Sequence, residues 1–251
     1  MGLQAQEKEI VVPGQILADG MDYLPSHGTY RQGDNIIACR LGLLVIDGKV
    51  LKTIPLAGRY LPKRNDIIVG RVIDIMLSGW RIETNSPYSA MLNVKDATFE
   101  FIGKQADLSR YFALDDYVVS KIVNVTTQNL VDLTCKGPGL RKLKGGRIIE
   151  VNTHKVPRII GKKGSMVSMI KNATNCKITV GQNGKIWLSG DPDQEMIAIT
   201  AIKKIEAESH RPGLTERIQR FLSEATGKDV SQMQNDRPEN GEEGSEHDNQ
   251  E

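Results

Sequence analysis

The sequence predicts a mainly β chain with an α/β portion toward its C-terminal end. Three observations carry this. Up to residue 143 the apolar residues come in short runs broken by turn formers, with no long helical period. Past residue 144 the pattern becomes one strand, two helical stretches, two strands and another helix. From residue 229 almost no apolar content remains. A chain of 251 residues has room for two or three small domains of this kind.

Taken in order, "IVVPGQILA", "NIIACRLGLLVI" and "KVLKTIPLAG" read as short strands, with Asp47-Gly48 as a hairpin signal between two of them. They define a small N-terminal β domain over 1–60. In 61–143, "DIIVGRVIDIM" is a strand whose internal Gly70 marks a bulge or barrel bend. "GWRIET", "YSAMLNV" and the two strands of "YVVSKIVNVTTQNLVDLTC" follow, with a longer insertion over 95–112 before the fourth. Five strands in this arrangement are the count of an OB-fold barrel.

In 144–211, "RIIEV" is a strand and 155–160 a short turn of helix. Met166, Val167, Ile170 and Ala173 then share a helix face. "CKITV" and "KIWLSG" form a hairpin across Gln182-Asn183-Gly184. Asp191-Pro192-Asp193-Gln194 is a helix start, with an Asp cap, Pro at N1 and Gln at N3, and Ala198, Ile199, Ile202 and Ile205 line that helix. The order is β-α-α-β-β-α. A short C-terminal helix over 212–228 carries Leu214, Ile218, Phe221 and Leu222 on one side and stops at Gly227. Residues 229–251 read as a disordered acidic tail.

That tail holds eight carboxylates against Arg237 alone, a charge of −7; since the chain totals +2, residues 1–228 carry +9. A basic body suits an anionic partner, although a solvated surface would balance the same way. No apolar run approaches the roughly 20 residues of a membrane span, and "MGLQAQEKEIVVPG" lacks a signal-peptide core. Cys39, Cys135 and Cys176 are far apart, which fits a reducing compartment and offers neither a disulfide framework nor a zinc site. A cytoplasmic protein with no membrane contact, no metal and no cofactor is expected.

Three Gly-x-x-Gly pairs occur: Gly161/Gly164, Gly181/Gly184 and Gly241/Gly244. The second falls in the hairpin and the third in the tail. Only Gly161-Lys162-Lys163-Gly164 stands between two helices, where glycines let a nucleic-acid backbone approach and the following helix presents its positive end. Lys162 and Lys163 add charge there. Order and motif together resemble a type I KH domain, whose loop clamps about four nucleotides of a single strand. The resemblance implies an apolar base groove lined by Ile159, Ile160 and Ile178, which would equally serve as core.

"LPKRNDIIVGRVIDIMLSGWRIE" resembles the opening of the ribosomal-protein S-one type of OB domain. Asn65-Asp66 stands in place of the family's Gly-Asp turn, and Asn tolerates positive φ. Gly79-Trp80 supplies its Gly-aromatic step. Such faces stack bases on aromatics within a basic groove. The candidates are Trp80, Tyr88, Tyr111 and Phe112 for stacking, and Arg81, Lys121, Arg141 and Lys142 for phosphates. Each aromatic also suits the barrel core, Trp80 above all. With aromatics at 5%, binding would lean on charge more than on bases.

Val-Pro-Gly at 12–14, His-Gly-Thr-Tyr at 27–30, Gly-Arg-Tyr-x-Pro at 58–62 and the later Ile-Gly-x-x-Gly come in the order of a known family. Over about 10–210 the chain resembles the exosome cap subunits that carry S-one and KH domains, in their archaeal form. The resemblance implies a non-catalytic, trimeric cap. It would bind single-stranded RNA and deliver its 3′ end to a hexameric RNase PH-like ring that degrades by phosphorolysis. His27, Gly28, Thr29, Tyr30, Arg59 and Tyr60 would dock on that ring. A nuclease would need clustered carboxylates, and the pairs Asp115-Asp116 and Glu242-Glu243 do not form a cluster. A translation or transcription elongation factor with S-one and KH modules is the alternative; such a factor has no use for the N-terminal motifs.

Overall fold

The computed structural model describes residues 2–56, 58–100, 102–103, 106–209 and 213–227; the acidic tail read from the sequence lies outside them. The N-terminal part is built from seven short strands: β1 (Ile10–Val11), β2 (Ile16–Asp19), β3 (Leu24–Pro25), β4 (Thr29–Gln32), β5 (Asn35–Ala38), β6 (Gly42–Asp47) and β7 (Val50–Pro55). They make two sheets, ordered β2-β5-β4 and β1-β6-β7-β3. Leu17, Ile36, Leu44 and Leu51 form a small core. The β6–β7 turn opens after Asp47, with Gly48 at φ 59°, as Asp-Gly hairpins require.

The middle part is a closed barrel. Its strands are β8 (Ile67–Met76), β9 (Gly79–Glu83), β10 (Ser89–Asn93), β11 (Tyr117–Val125) and β12 (Val131–Thr134). β12 closes it by pairing parallel to β10 and antiparallel to β11. The insertion before β11 holds the short helix α1 (Val94–Ala97) and a 3-10 turn, Leu108–Arg110. A further strand, β13 (Arg141–Lys142), pairs with the end of the barrel. Gly70 is a close-approach position: a Cβ there would lie 2.2 Å from Ile82 Cγ2. The bulge itself falls between Val72 and Asp74.

The last part holds β14 (Arg147–Glu150), α2 (Val156–Ile160), α3 (Ser165–Thr174), β15 (Lys177–Val180), β16 (Lys185–Ser189), α4 (Pro192–Glu208) and α5 (Leu214–Thr226). The sheet order is β14-β16-β15. Both long helices bury the faces the periodicity marks. The α5 helix is no appendage: its buried Leu214, Ile218 and Leu222 belong to the same core as Ile170, Ile186 and Ile202. One local expectation fails. Asp191 makes no side-chain cap on α4; instead Gly190 N–H donates to Glu195 Oε1 at 3.0 Å, and Arg147 holds that carboxylate at 3.0 Å.

Barrel and α/β part are locked together. Val69, Val119, Leu143 and Trp187 form a shared apolar cluster. The loop of Gly181/Gly184 is the clasp. Its fully buried Asn183 accepts from Val69 N–H (3.3 Å) and donates to Val69 O (2.9 Å) and Thr84 O (3.0 Å). Buried Lys185 lies 3.4 Å from Glu83 and 3.9 Å from Glu150, spanning both parts.

Candidate nucleic-acid interface

α2 ends at Ile160, and Gly161 turns the chain with φ 76° and ψ 175°. No other residue fits there, since a Cβ would meet Met166 Cβ at 2.7 Å and Met166 N at 2.8 Å. Lys163 is left-handed at φ 52° and Gly164 at φ 79°, after which α3 begins at Ser165. The result is a tight protruding loop. Lys162 and Lys163 are exposed, sit at the positive end of α3 and form no ion pair among the described residues. Exposed Arg158 stands on the preceding turn; sequence reading passed over it, although its place just before the motif was the available signal. Of the isoleucines, Ile159 and Ile178 are core, at 0% and 4% exposure, and Ile160 alone is partly open. The groove reading therefore fails for the two buried ones, whose side chains point into the helix–sheet core.

The barrel sorts its candidates more sharply. Trp80 is fully buried, its Nε1–H donates to Phe112 O at 2.9 Å, and the two rings meet edge-on with centroids 5.1 Å apart. Neither Trp80 nor buried Phe112 can stack a base; both fill the barrel. Tyr111 packs against the same core, and Tyr88 keeps 37% exposure. Arg81 is exposed and Lys121 half-buried. Lys142 is paired with Asp116. Exposed Arg141 sits 6.0 Å over the Trp187 ring. Asn65 has φ 73°, so Asn does occupy the left-handed turn position.

The docking candidates also divide. His27, Tyr30 and Arg59 are exposed. Thr29 is structural: its hydroxyl donates to Leu51 O at 2.9 Å. Gly28 passes close to Thr53, 3.0 Å from a Cβ position to Thr53 Cβ. Tyr60 is barrel core, 6% exposed, and its hydroxyl donates to Asp66 Oδ2 at 2.6 Å. Burial, then that carboxylate, push the Tyr60 phenol far above its ordinary range. Of the adjacent carboxylates, Asp115 takes Arg71 at 3.3 Å and Asp116 accepts from Ala113 N–H at 2.6 Å; both are occupied structurally. No group of three or more His, Cys, Asp or Glu able to hold a metal occurs among the described residues.

Three family profiles match in succession: "Exosome complex exonuclease RRP4 N-terminal region" at 10–47, "RRP4, S1 domain" at 59–106 and "KH domain" at 146–204. Exosome complex component Rrp4 of Thermococcus kodakarensis is 41% identical over 249 residues, covering 97% of this chain and 96% of its own. The chain belongs to the Rrp4 family. The Pyrococcus furiosus member is 43% identical over 221 residues, 86% of this chain and 83% of its own. A crystal structure of a protein provisionally described as an exosome complex RNA-binding protein aligns with TM-score 0.60 and 36% identity, covering 67% of this chain and 97% of that one. The Rrp4 family is a non-catalytic one that joins S-one and KH modules. No described helix is long and apolar enough to cross a membrane.

The cysteines of this Rrp4-family chain differ in reactivity. Burial pushes the Cys135 thiol up to about 12, whereas Cys39 is exposed. Since the thiolate is the reactive form, a thiol reagent at neutral pH is expected to modify Cys39 in the native chain and Cys135 only on unfolding. Mass mapping of the labelled peptides checks this, and fast labelling at Cys135 would contradict the buried position.

Proposed function

We propose that this chain is a cap subunit of an exosome that binds single-stranded RNA and hands its 3′ end to an RNase PH-like hexameric ring, alongside other cap subunits in a trimeric cap, in the cytoplasm. The observation that carries it is the loop of Gly161–Gly164: two exposed lysines on a backbone turned by glycine at the start of α3. A phosphate chain can pass close to such a loop, where charge and helix dipole add. Arg81, Tyr88, Lys121 and Arg141 on the barrel would extend the track, with charge leading and stacking secondary. This matches a basic body of +9 against the tail's −7.

Docking falls to the N-terminal β domain. Its exposed Ile10 (60%), Met21 (72%), Leu24 (57%) and Ile54 (52%) give apolar area for a partner, with His27 and Tyr30 as polar contacts. The test is deletion. Tyr60 and its hydrogen bond to Asp66 belong to the barrel, so the shortened chain must begin at Gly58. It is expected to bind single-stranded RNA as before and to elute apart from the ring subunits in gel filtration. Continued co-elution would move the contact to the barrel or KH part, and loss of RNA binding would place the RNA site in the deleted domain.

A further inference from the structure

A cavity of about 740 Å³ opens where the N-terminal domain, the chain entering the barrel and the KH part meet. Its wall carries Arg40, Lys52, Arg59, Lys63, His27 and His154, against one carboxylate, Asp66. Asp66 is engaged by the Tyr60 hydroxyl and Lys52 is paired with Asp47 at 3.0 Å. Arg40, Arg59 and Lys63 form no ion pair among the described residues. Three positive charges thus share one concave space with the single carboxylate of Asp66, an excess of two.

The same wall holds orphaned polar atoms. Thr53 Oγ1, Thr153 Oγ1 and His154 Nε2 are shut off from solvent and have no hydrogen-bond partner among the described residues. A buried polar group without a partner destabilises the fold, and a ligand that supplies the partner relieves it. They come from the N-terminal domain and the KH part, so the shortage lies at the junction rather than inside one domain. Burial, then the nearby Lys63 and Arg40, hold the His154 imidazole below its ordinary range. It therefore stands neutral among cations, and any bound anion would reverse the two charge effects.

We propose that this junction is a phosphate-binding site, distinct from the Gly161–Gly164 loop and the barrel face, in which Arg40, Arg59, Lys63 and His154 hold a phosphate group. A carboxylate would balance one of the two excess charges. A phosphate monoester brings up to two negative charges and three acceptor oxygens, and guanidinium forks match its geometry. The phosphate is either free in solution or the terminal phosphate of an RNA. Because the wall spans three segments, occupancy ties the N-terminal domain to the KH part.

The test follows the His154 ring by NMR in the full chain, with a His154→Asn spectrum for assignment. Inorganic phosphate is titrated first, then uridine 5′-monophosphate, with uridine and acetate as controls at matched ionic strength. A saturable shift is expected, with the titration midpoint of His154 moving up. Saturation by inorganic phosphate supports the free ion as source, and saturation by the nucleotide alone supports an RNA end. Arg40→Gln with Lys63→Gln is expected to raise Kd about tenfold or more, equal to 1.4 kcal/mol. Lys162→Asp with Lys163→Asp should leave it unchanged. No saturable shift in the wild-type chain overturns the site. An equal response to acetate, or tighter binding of an aspartate-rich peptide, overturns the assignment to phosphate.

Discussion

Trp80→Ala is expected to destabilise the barrel by about 3–5 kcal/mol, the cost of removing a large aromatic from a closed core. The ring is 0% exposed and meets Phe112 edge-on, so its loss leaves a cavity that neighbouring strands cannot fill without breaking barrel register. The deletion also orphans Phe112 O, which accepts from Nε1 at 2.9 Å, in a place where water does not reach. Trp80→Phe separates the two effects. It keeps most of the ring packing and loses the donor, for about 1–3 kcal/mol. Urea unfolding followed by circular dichroism reads both. RNA affinity measured under conditions where Trp80→Phe is folded should match the parent chain. If Trp80→Ala unfolded like the parent but bound RNA more weakly, the indole would be a stacking surface and the buried placement would be wrong.

That outcome bears on how much the sequence disclosed. Strand and helix order were legible because each long element carries its own period. α4 and α5 show a 3.6-residue apolar repeat, and β8 and β11 are uninterrupted β-rich runs. The loop of Gly161–Gly164 was legible because glycines, lysines and helix start are contiguous. What stayed hidden depends on distant partners. The sequence favoured the core for Trp80 without fixing it, and left Tyr88 open, since a barrel strand alternates and the phase is set by closure. Ile159 and Ile178 have the same ambiguity. The Asp191 cap signal was locally sound, but Glu195 and Arg147, brought together by β14, took over the end of the helix. Asn183 read as a turn residue because turns favour Asn. Its real duty is with Val69 and Thr84, roughly a hundred residues away in sequence. The cationic junction was invisible for the same reason: Arg40, Lys63 and His154 converge only when three segments fold together.

Lys162→Asp with Lys163→Asp is expected to weaken single-stranded RNA binding by about two orders of magnitude, taking roughly 1.5 kcal/mol for each charged hydrogen bond to phosphate that is removed. The effect should be the same for every RNA sequence, because phosphate contacts position a strand and carry no base information. The plot of log K against log salt should flatten by about 0.7 per phosphate released, hence by about 1.4 for the pair. The fold should hold within about 0.5 kcal/mol. Both side chains are exposed, and Lys163 already sits at φ 52°, where Asp is better tolerated than Lys. A KH fragment isolates the loop from the barrel, but it must run over 144–227. Leu214, Ile218 and Leu222 of α5 complete its core, and a fragment ending before them would leave that face of α3 and α4 bare. Fluorescence anisotropy at low salt, on both the full chain and this fragment, makes the measurement. If the fragment binds equally with lysines or aspartates, the loop is only the turn that starts α3, and the barrel carries the RNA. If affinity falls for some sequences and not others, the loop reads bases, which a phosphate clamp does not do.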